Sequence, residues 1–286
     1  MPELPEVEAL TRFLDGRMVG RHIERCELAA FAALKTVDPP LSALVGCTVA
    51  SVGRRGKYLC VECGDLWLVL HLARGGWVRW HDRLPVGRAR PSRSPLALRV
   101  GLDGGSGFDV TEMGTEKRLA LWVVHRPEDV EGLAGLGVDP LDASFDTERL
   151  TGLLEGAPGN LKTVLASQSV MAGIGNAYSD EILHVARLSP FRPARNLDRA
   201  EVERLHAAVV GVIAEAVGRA VGQGAAELKG DKKRAMRVHG RTGEACPECG
   251  DVIREVSFAT KSLQYCATCQ TGGKPLADRR LSRLLR

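Results

Sequence analysis

CPECGDVIREVSFATKSLQYCATC, residues 246–269, sets two CxxC pairs around sixteen intervening residues. Paired knuckles at this spacing bring Cys246, Cys249, Cys266 and Cys269 into a tetrahedron of soft ligands. A closed four-thiolate set has no open position, so it holds one structural Zn2+ rather than a catalytic one. Two disulfides are the alternative, and a cytosolic setting disfavours them. The strand-like IREVSFA between the pairs predicts a β-hairpin too small to keep its own core, which the metal pins.

Around the hairpin the chain is basic. Residues 229–286 carry thirteen Lys/Arg against six Asp/Glu, a net of +7, which leaves −3 for residues 1–228 of a chain whose formal charge is +4. A basic end on a near-neutral body suits a polyanion partner, although solvated surfaces show similar bias. The 286 residues, 44% hydrophobic, can bury real cores in one large domain or two. No apolar run reaches the roughly 20 residues that cross a bilayer, and an N-terminus bearing Glu3, Glu6 and Glu8 is unlike a signal peptide. A cytoplasmic protein with no membrane partner is expected. Cys60-Val-Glu-Cys63 also spells CxxC, but in a strand-like run the two side chains point to opposite faces. With Cys26 and Cys47 they could form another site; buried free thiols are the commoner explanation.

Working towards the N-terminus, AEVERLHAAVVGVIAEAVGRAV at 200–221 has helical periodicity, as does much of residues 147–224. The Gly-rich GLAGLGVDPLD precedes it. Between about 45 and 124 the short runs TVASV, YLCVE, LWLVLHL and LALWVVH alternate with turn residues, as in an antiparallel sandwich. Val7, Leu10, Leu14 and Met18 make residues 3–18 an amphipathic helix starting almost at the first residue. The expected division is a β-sandwich over 1–130, a linker over 131–146, a helical domain over 147–228, a basic loop with the zinc hairpin over 229–270, and a basic tail over 271–286. The fold class is α+β.

The chain starts Met1-Pro2-Glu3-Leu4-Pro5-Glu6-Val7-Glu8. A small second residue permits removal of the initiator Met, which would expose Pro2 as a secondary amine. An α-amino group titrates near 7.7–8.0 and is partly neutral at pH 7, able to attack a sugar carbon and form an iminium while Glu3 and Glu6 shuttle protons. Taken alone, Pro and Glu here read equally well as an ordinary helix start.

Five motifs in one order change that reading: PELPEVE at the extreme N-terminus, GRRGKY at 53–58, HL at 71–72, GIGNAYSDEIL at 173–183 and HGRTGEAC before the knuckles. Together the chain resembles the formamidopyrimidine-DNA glycosylase/endonuclease VIII family from Pro2 to Cys269. The resemblance implies a bifunctional enzyme acting on damaged double-stranded DNA, with Pro2 as Schiff-base nucleophile, Glu3 as the acid/base of ring opening and elimination, and Glu6 as a supporting carboxylate. It implies that Lys57 and His71 contact DNA backbone, and that Asn176, at a Gly-flanked turn entering a helix, belongs to a helix–two-turns–helix phosphate clamp. DNA would lie between the two domains, and the protein would act as a monomer near the nucleoid.

Three departures from the family pattern stand out. The arginine usually found five residues before the third cysteine is Lys261 here, which keeps the charge but loses the bidentate fork. The residues that fill the gap left by a flipped base align with Arg74 and, across an insertion, with Lys117, Arg118 and Leu119. Base flipping needs a bulky wedge and a donor, roles open to Leu119 and Arg74. The loop that covers 8-oxoguanine is short, only Gly-Asp-Lys-Lys-Arg-Ala-Met at 230–236. That implies a preference for oxidised pyrimidines, formamidopyrimidines or abasic sites. The rival expectation is a zinc protein that binds damaged DNA without catalysis. A small-molecule tautomerase with an N-terminal proline leaves the hairpin and clamp motifs unexplained.

Overall fold

The computed structural model describes residues 1–87, 95–225, 227–258 and 262–277. The chain forms two compact units, Met1–Leu136 with Val217–Lys229, and Gly137–Ala216 with Gly230–Arg286. Among the described residues no helix is long and apolar enough to cross a membrane.

The first unit opens with helix α1 (Leu4–Met18), whose expected stripe Val7, Leu10, Leu14 and Met18 is completely buried along with Leu4. Eight strands follow: β1 (Ile23–Leu28), β2 (Val49–Arg55), β3 (Tyr58–Cys63), β4 (Leu66–His71), β5 (Gly76–His81), β6 (Leu96–Leu102), β7 (Gly107–Glu112) and β8 (Ala120–Val124), then a short helix, α2 (Glu131–Ala134). They form two four-stranded antiparallel sheets, in the orders β1-β6-β7-β5 and β2-β3-β4-β8. Side chains of α1 and of both sheets share one large core that includes Leu59, Leu68, Leu98, Phe108 and Leu121. The β region thus starts earlier than the 45–124 read from sequence, because β1 pairs β6 with Cys26 opposite Val100. Cys60 packs with Val69, Val124, Val130 and Leu133, whereas Cys63 joins the main core, so this CxxC faces two ways as its strand position predicts. Cys26, Cys47, Cys60 and Cys63 are free thiols, and burial pushes Cys26, Cys60 and Cys63 up to about 12.

The second unit is helical: α3 (Thr147–Gly156), α4 (Leu161–Ala166), α5 (Asn176–Val185) and most of α6 (Arg199–Ala220). Asp146 and Asn160 cap α3 and α4 by accepting the N–H of Arg149 (2.7 Å) and Thr163 (3.0 Å). The segment expected to be a basic loop is instead a helix, α7 (Leu228–Ala235). Gly230 argues for a loop, but Leu228 anchors the first turn by burial in the first unit's core. Within the second unit, Asp231 pairs with Arg234 three residues on, and the last turn carries Lys232, Lys233 and Arg234, which suits the helix dipole. The chain then forms the hairpin β9 (Ile253–Ser257) and β10 (Ser262–Cys266), in register Val256 to Leu263, and a last helical turn, α8 (Ala267–Thr271). The Cys266–Cys269 pair thus sits where β10 passes into α8. Of the tail 271–286, residues beyond 277 lie outside the described ones.

Candidate functional site

At the start of α1 the helix is closed by its own acidic residues. Glu3 is the N-cap and Glu6 the third helical position, and the Glu3 N–H donates to Glu6 Oε2 at 2.8 Å in a capping box. Pro5 occupies the first turn, where a missing N–H costs nothing. The result is a buried Pro2 followed by carboxylates only 2% (Glu3) and 3% (Glu6) exposed, held where the helix N-terminus favours negative charge, while Met1 stays exposed.

Contacts along α1 aim that start at the β2–β3 turn. Asp15 accepts the Val52 N–H at 3.0 Å; seven residues earlier, Glu8 accepts from Arg54 Nε at 2.9 Å, and Arg54 Nη1 donates to the Gly56 carbonyl at 3.1 Å. Burial would raise the Glu8 carboxyl, but hydrogen bonds from Arg54 and Arg12 outweigh it and hold the group below its usual range. Lys57 follows in the same turn and is buried. His71 sits opposite Tyr58 in the β3–β4 ladder with ring centroids 4.7 Å apart. Burial first, and the Lys57 ammonium second, push its imidazole down to about 4, so it is neutral at physiological pH. Pro2, Glu3, Glu6, Lys57 and His71 therefore belong to one unit, with the Glu8–Arg54 pair tying helix to turn. PELPEVE contains Glu8, yet nothing local to the motif identifies Arg54 as its partner.

Arg74 lies exposed on the β4–β5 turn. In the β7–β8 loop, Lys117 Nζ donates to the Glu112 carbonyl at 2.5 Å, and Arg118 is exposed and ion-paired to Glu116 at 3.2 Å. Leu119 corrects the sequence reading: it is 3% exposed and part of the main core, so it is not a surface wedge. The insertion shifted the alignment onto a residue whose apolar character serves packing.

In the second unit, Asn176 is the first residue of α5 rather than its cap, which is Gly175. Its amide donates to the Ser262 carbonyl at 2.8 Å, fastening α5 to β10. Beneath it lies a buried network that motif reading missed. Lys162 Nζ donates to Asp180 Oδ1 (2.6 Å), Ser179 Oγ (2.8 Å) and the Asn176 carbonyl (2.6 Å). The other Asp180 oxygen meets His239 Nδ1 at 2.7 Å, and Glu181 accepts the N–H groups of Arg237, Val238 and His239. GIGNAYSDEIL and HGRTGEAC are thus two halves of one hydrogen-bonded assembly. Lys232 of α7 stacks over the Tyr178 ring, 4.6 Å from its centroid. Lys261 lies outside the described residues.

The four hairpin thiols converge. Cys246 and Cys269 Sγ are 3.9 Å apart, Cys249 and Cys266 Sγ 3.4 Å, and all four lie within 4.8 Å of one another. Thiolates about 2.3 Å from a central Zn2+ stand roughly 3.8 Å apart, so the donor set fits structural zinc. His184 of α5, buried, places Nε2 3.3 Å from Cys246 Sγ. Among the described residues this is the one group of cysteine, histidine and carboxylate side chains arranged to hold a metal.

These features define a two-unit protein: a sandwich headed by a proline and a carboxylate-capped helix, and a helical unit carrying a structural zinc hairpin. Models of the formamidopyrimidine-DNA glycosylase N-terminal domain match residues 1–113, of its H2TH domain residues 136–227, and of the zinc finger found in these enzymes and isoleucyl-tRNA synthetases residues 243–272. The chain is 36% identical to the formamidopyrimidine-DNA glycosylase of Symbiobacterium thermophilum over 94% of its own length and 89% of the relative's, and 34% identical to that of Geobacter metallireducens over 95% and 100%. An uncharacterised formamidopyrimidine-DNA glycosylase-like protein of Mycobacterium tuberculosis shares 62% identity over 151 residues, 53% of this chain and 94% of that protein. Among solved structures, Lactococcus lactis Fpg with an N7-benzyl-Fapy-dG DNA superimposes with a TM-score of 0.83 at 27% identity, covering 94% of this chain and all of that one. The same enzyme non-covalently bound to DNA containing an AP site gives 0.80 at 26%, covering 94% and 99%. The chain belongs to the formamidopyrimidine-DNA glycosylase family.

Proposed function

We propose that this protein is a bifunctional DNA glycosylase/AP lyase of base excision repair, acting on oxidised bases in double-stranded DNA. The observation that carries it is the start of α1, where Pro2 is followed by two buried carboxylates in a capping box. Once Met1 is removed, the Pro2 nitrogen attacks C1′ and the C1′–base bond breaks, the base leaving with a proton from water, while the Glu3 carboxylate takes the proton that the attacking nitrogen sheds. Glu3 returns that proton to O4′ as the sugar ring opens to the iminium, then as a carboxylate removes a C2′ proton so that the 3′ phosphate is expelled, followed by the 5′ phosphate in a second elimination. Glu6 orients the first turn by accepting the Glu3 N–H. Lys57, His71, Asn176, Lys117, Arg118 and Lys261 serve DNA contact, His71 as a neutral donor. Zinc holds the hairpin.

In this reading residues 1–130 are the catalytic module, 147–228 the clamp and 229–270 the hairpin module, and the protein works as a cytoplasmic, nucleoid-associated monomer with no membrane partner. The short segment occupied by α7 supports a preference for oxidised pyrimidines, formamidopyrimidines or abasic sites over 8-oxoguanine, because a flipped purine would meet no loop of backbone donors. Single-turnover assays on duplexes carrying one lesion each, at fixed salt, test the reading. The expected result is base loss with strand scission, faster for dihydrouracil or thymine glycol than for 8-oxoguanine. Binding that leaves every base and strand intact would establish the non-catalytic alternative.

A further inference from the structure

The last turn of α5 carries a histidine that neither the clamp nor the proposed chemistry uses. His184 is 2% exposed, and its Nε2 lies 3.3 Å from Cys246 Sγ, across 62 residues of chain. Sulfur is a large acceptor, so this is hydrogen-bonding distance. The other ring nitrogen, Nδ1, is closed to solvent and has no hydrogen-bond partner among the described residues. An apolar ring of similar size would fill the same space without leaving a buried nitrogen unmet, which carries a desolvation cost. The polar contact that the His184 ring does make is to a metal-binding sulfur.

The rest of the helix explains why the ring is held there. Asn176, Asp180 and His184 recur at intervals of four, so they share one face of α5. Each meets the stretch of chain that builds the hairpin: Asn176 the Ser262 carbonyl at 2.8 Å, Asp180 the His239 ring at 2.7 Å, and His184 the Cys246 sulfur. The first two contacts set the helix against that stretch at its start and middle, and the third brings it to the thiols. Four thiolates bring more negative charge than one Zn2+ offsets, and inside folded protein the excess is met by hydrogen bonds to sulfur. The hairpin's backbone supplies two, from the Asp251 N–H to Cys249 and from the Cys269 N–H to Cys266. Cys246 is 3% exposed, and the donor turned towards it is the His184 ring. A metal-bound thiolate has no proton to give, so the hydrogen of this contact sits on Nε2, while a second proton on Nδ1 would find no acceptor.

We propose that His184 is a positioning residue for the zinc centre: its Nε2–H donates to the Cys246 thiolate, offsets part of the thiolate charge and ties that ligand to α5. Loss of a hydrogen bond of this kind commonly weakens metal binding roughly 10–100-fold. Retention of the metal therefore depends on the clamp helix as well as on the four cysteines of the hairpin. The CxxC spacing leaves this out, because the donor comes from a helix in another part of the sequence.

The first test uses the full-length, unaltered protein with its zinc exchanged for a spin-active isotope of cadmium and its histidines labelled for nitrogen NMR. The expected result is a slowly exchanging proton on His184 Nε2, coupled to the metal through the Cys246 sulfur. A ring whose Nε2 carries no proton, or one that exchanges freely with water and shows no coupling, overturns the inference. The second test follows transfer of zinc from the full-length protein to a chelating dye. His184→Phe keeps the ring and removes the donor, whereas His184→Gln keeps a donor. Release should be at least about tenfold faster from His184→Phe, and within about threefold of the unaltered protein from His184→Gln, with circular dichroism showing the helices intact. Equal release from all three proteins, or equal acceleration in both variants, overturns the inference as well. Should His184→Phe fail to fold, the cadmium coupling and the release rate of His184→Gln decide.

Discussion

The start of α1 and the hairpin thiols meet one demand, holding acidic side chains inside folded protein, by opposite means. At Glu3 and Glu6 the compensating charge is built into the backbone: free N–H groups of a helix end meet two carboxylates, and the stripe from Leu4 to Met18 seats the helix in a large core. At Cys246, Cys249, Cys266 and Cys269 the compensation is a cation, and the apolar support is slight, a cluster of Val238, Cys246, Ile253 and Cys266 with Cys269 beside it. The first site is preformed by packing. The second draws on the metal to hold four thiols together where little apolar packing does so.

Stripping the zinc tests that difference most strongly. Structural zinc sites contribute on the order of 10 kcal/mol to the folded state of small domains. Chelation, or Cys249→Ser, should therefore melt the hairpin and cost DNA affinity at least tenfold, while the first unit keeps its unfolding midpoint. Hydrogen exchange followed by peptide mass analysis distinguishes the two: protection lost over 246–269 and retained over 4–18 is the expected pattern, and equal loss in both would show that the first unit also depends on the metal.

A smaller loss is expected inside the second unit. Lys162→Met leaves Asp180 as a fully buried carboxylate with only His239 to meet it, and breaking a buried pair from one side costs about 3–5 kcal/mol. Urea unfolding should show this drop, and restoring apolar balance with Asp180→Leu in the same chain should recover part of it. A drop below about 1 kcal/mol would mean that the network is solvated.

The smallest effect is a pH slope in the first unit. His71 titrates near 4 when folded against about 6.5 when unfolded, so the unfolded chain binds the extra proton between those values. The stabilising contribution is complete above pH 6.5 and declines as pH falls towards 4, by up to about 3 kcal/mol. Urea midpoints of the wild type and of His71→Asn at pH 7.5 and 5.0 should differ more at the higher pH, and parallel curves would contradict it.

What the amino-acid sequence makes legible follows the same division. The zinc set was legible because ligand spacing along the chain is the site. The helix start at Pro2, Glu3 and Glu6 was legible because a helix start is local, whereas a role for these residues beyond it came only from the resemblance. Arg54 as the partner of Glu8, and Lys162 as that of Asp180, were not, since each pair joins elements far apart in sequence and neither residue is unusual where it stands. Leu119 was assigned to the surface because an insertion hides which apolar residue of the loop faces inward, and only packing separates it from Met113. The residues from 229 read as a basic loop from their charge, and the helix from Leu228 to Ala235 overrides that local signal through the burial of Leu228.

The central claim is that the amine of Pro2 becomes covalently joined to DNA. Intact mass of the purified protein, before and after borohydride treatment with an abasic-site duplex, measures this directly. The account predicts a chain lacking Met1, an adduct in high yield that peptide mapping places on Pro2, and none when the initiator Met is retained. A fully processed chain that binds the duplex tightly yet forms no adduct, or forms one on a lysine, would contradict it.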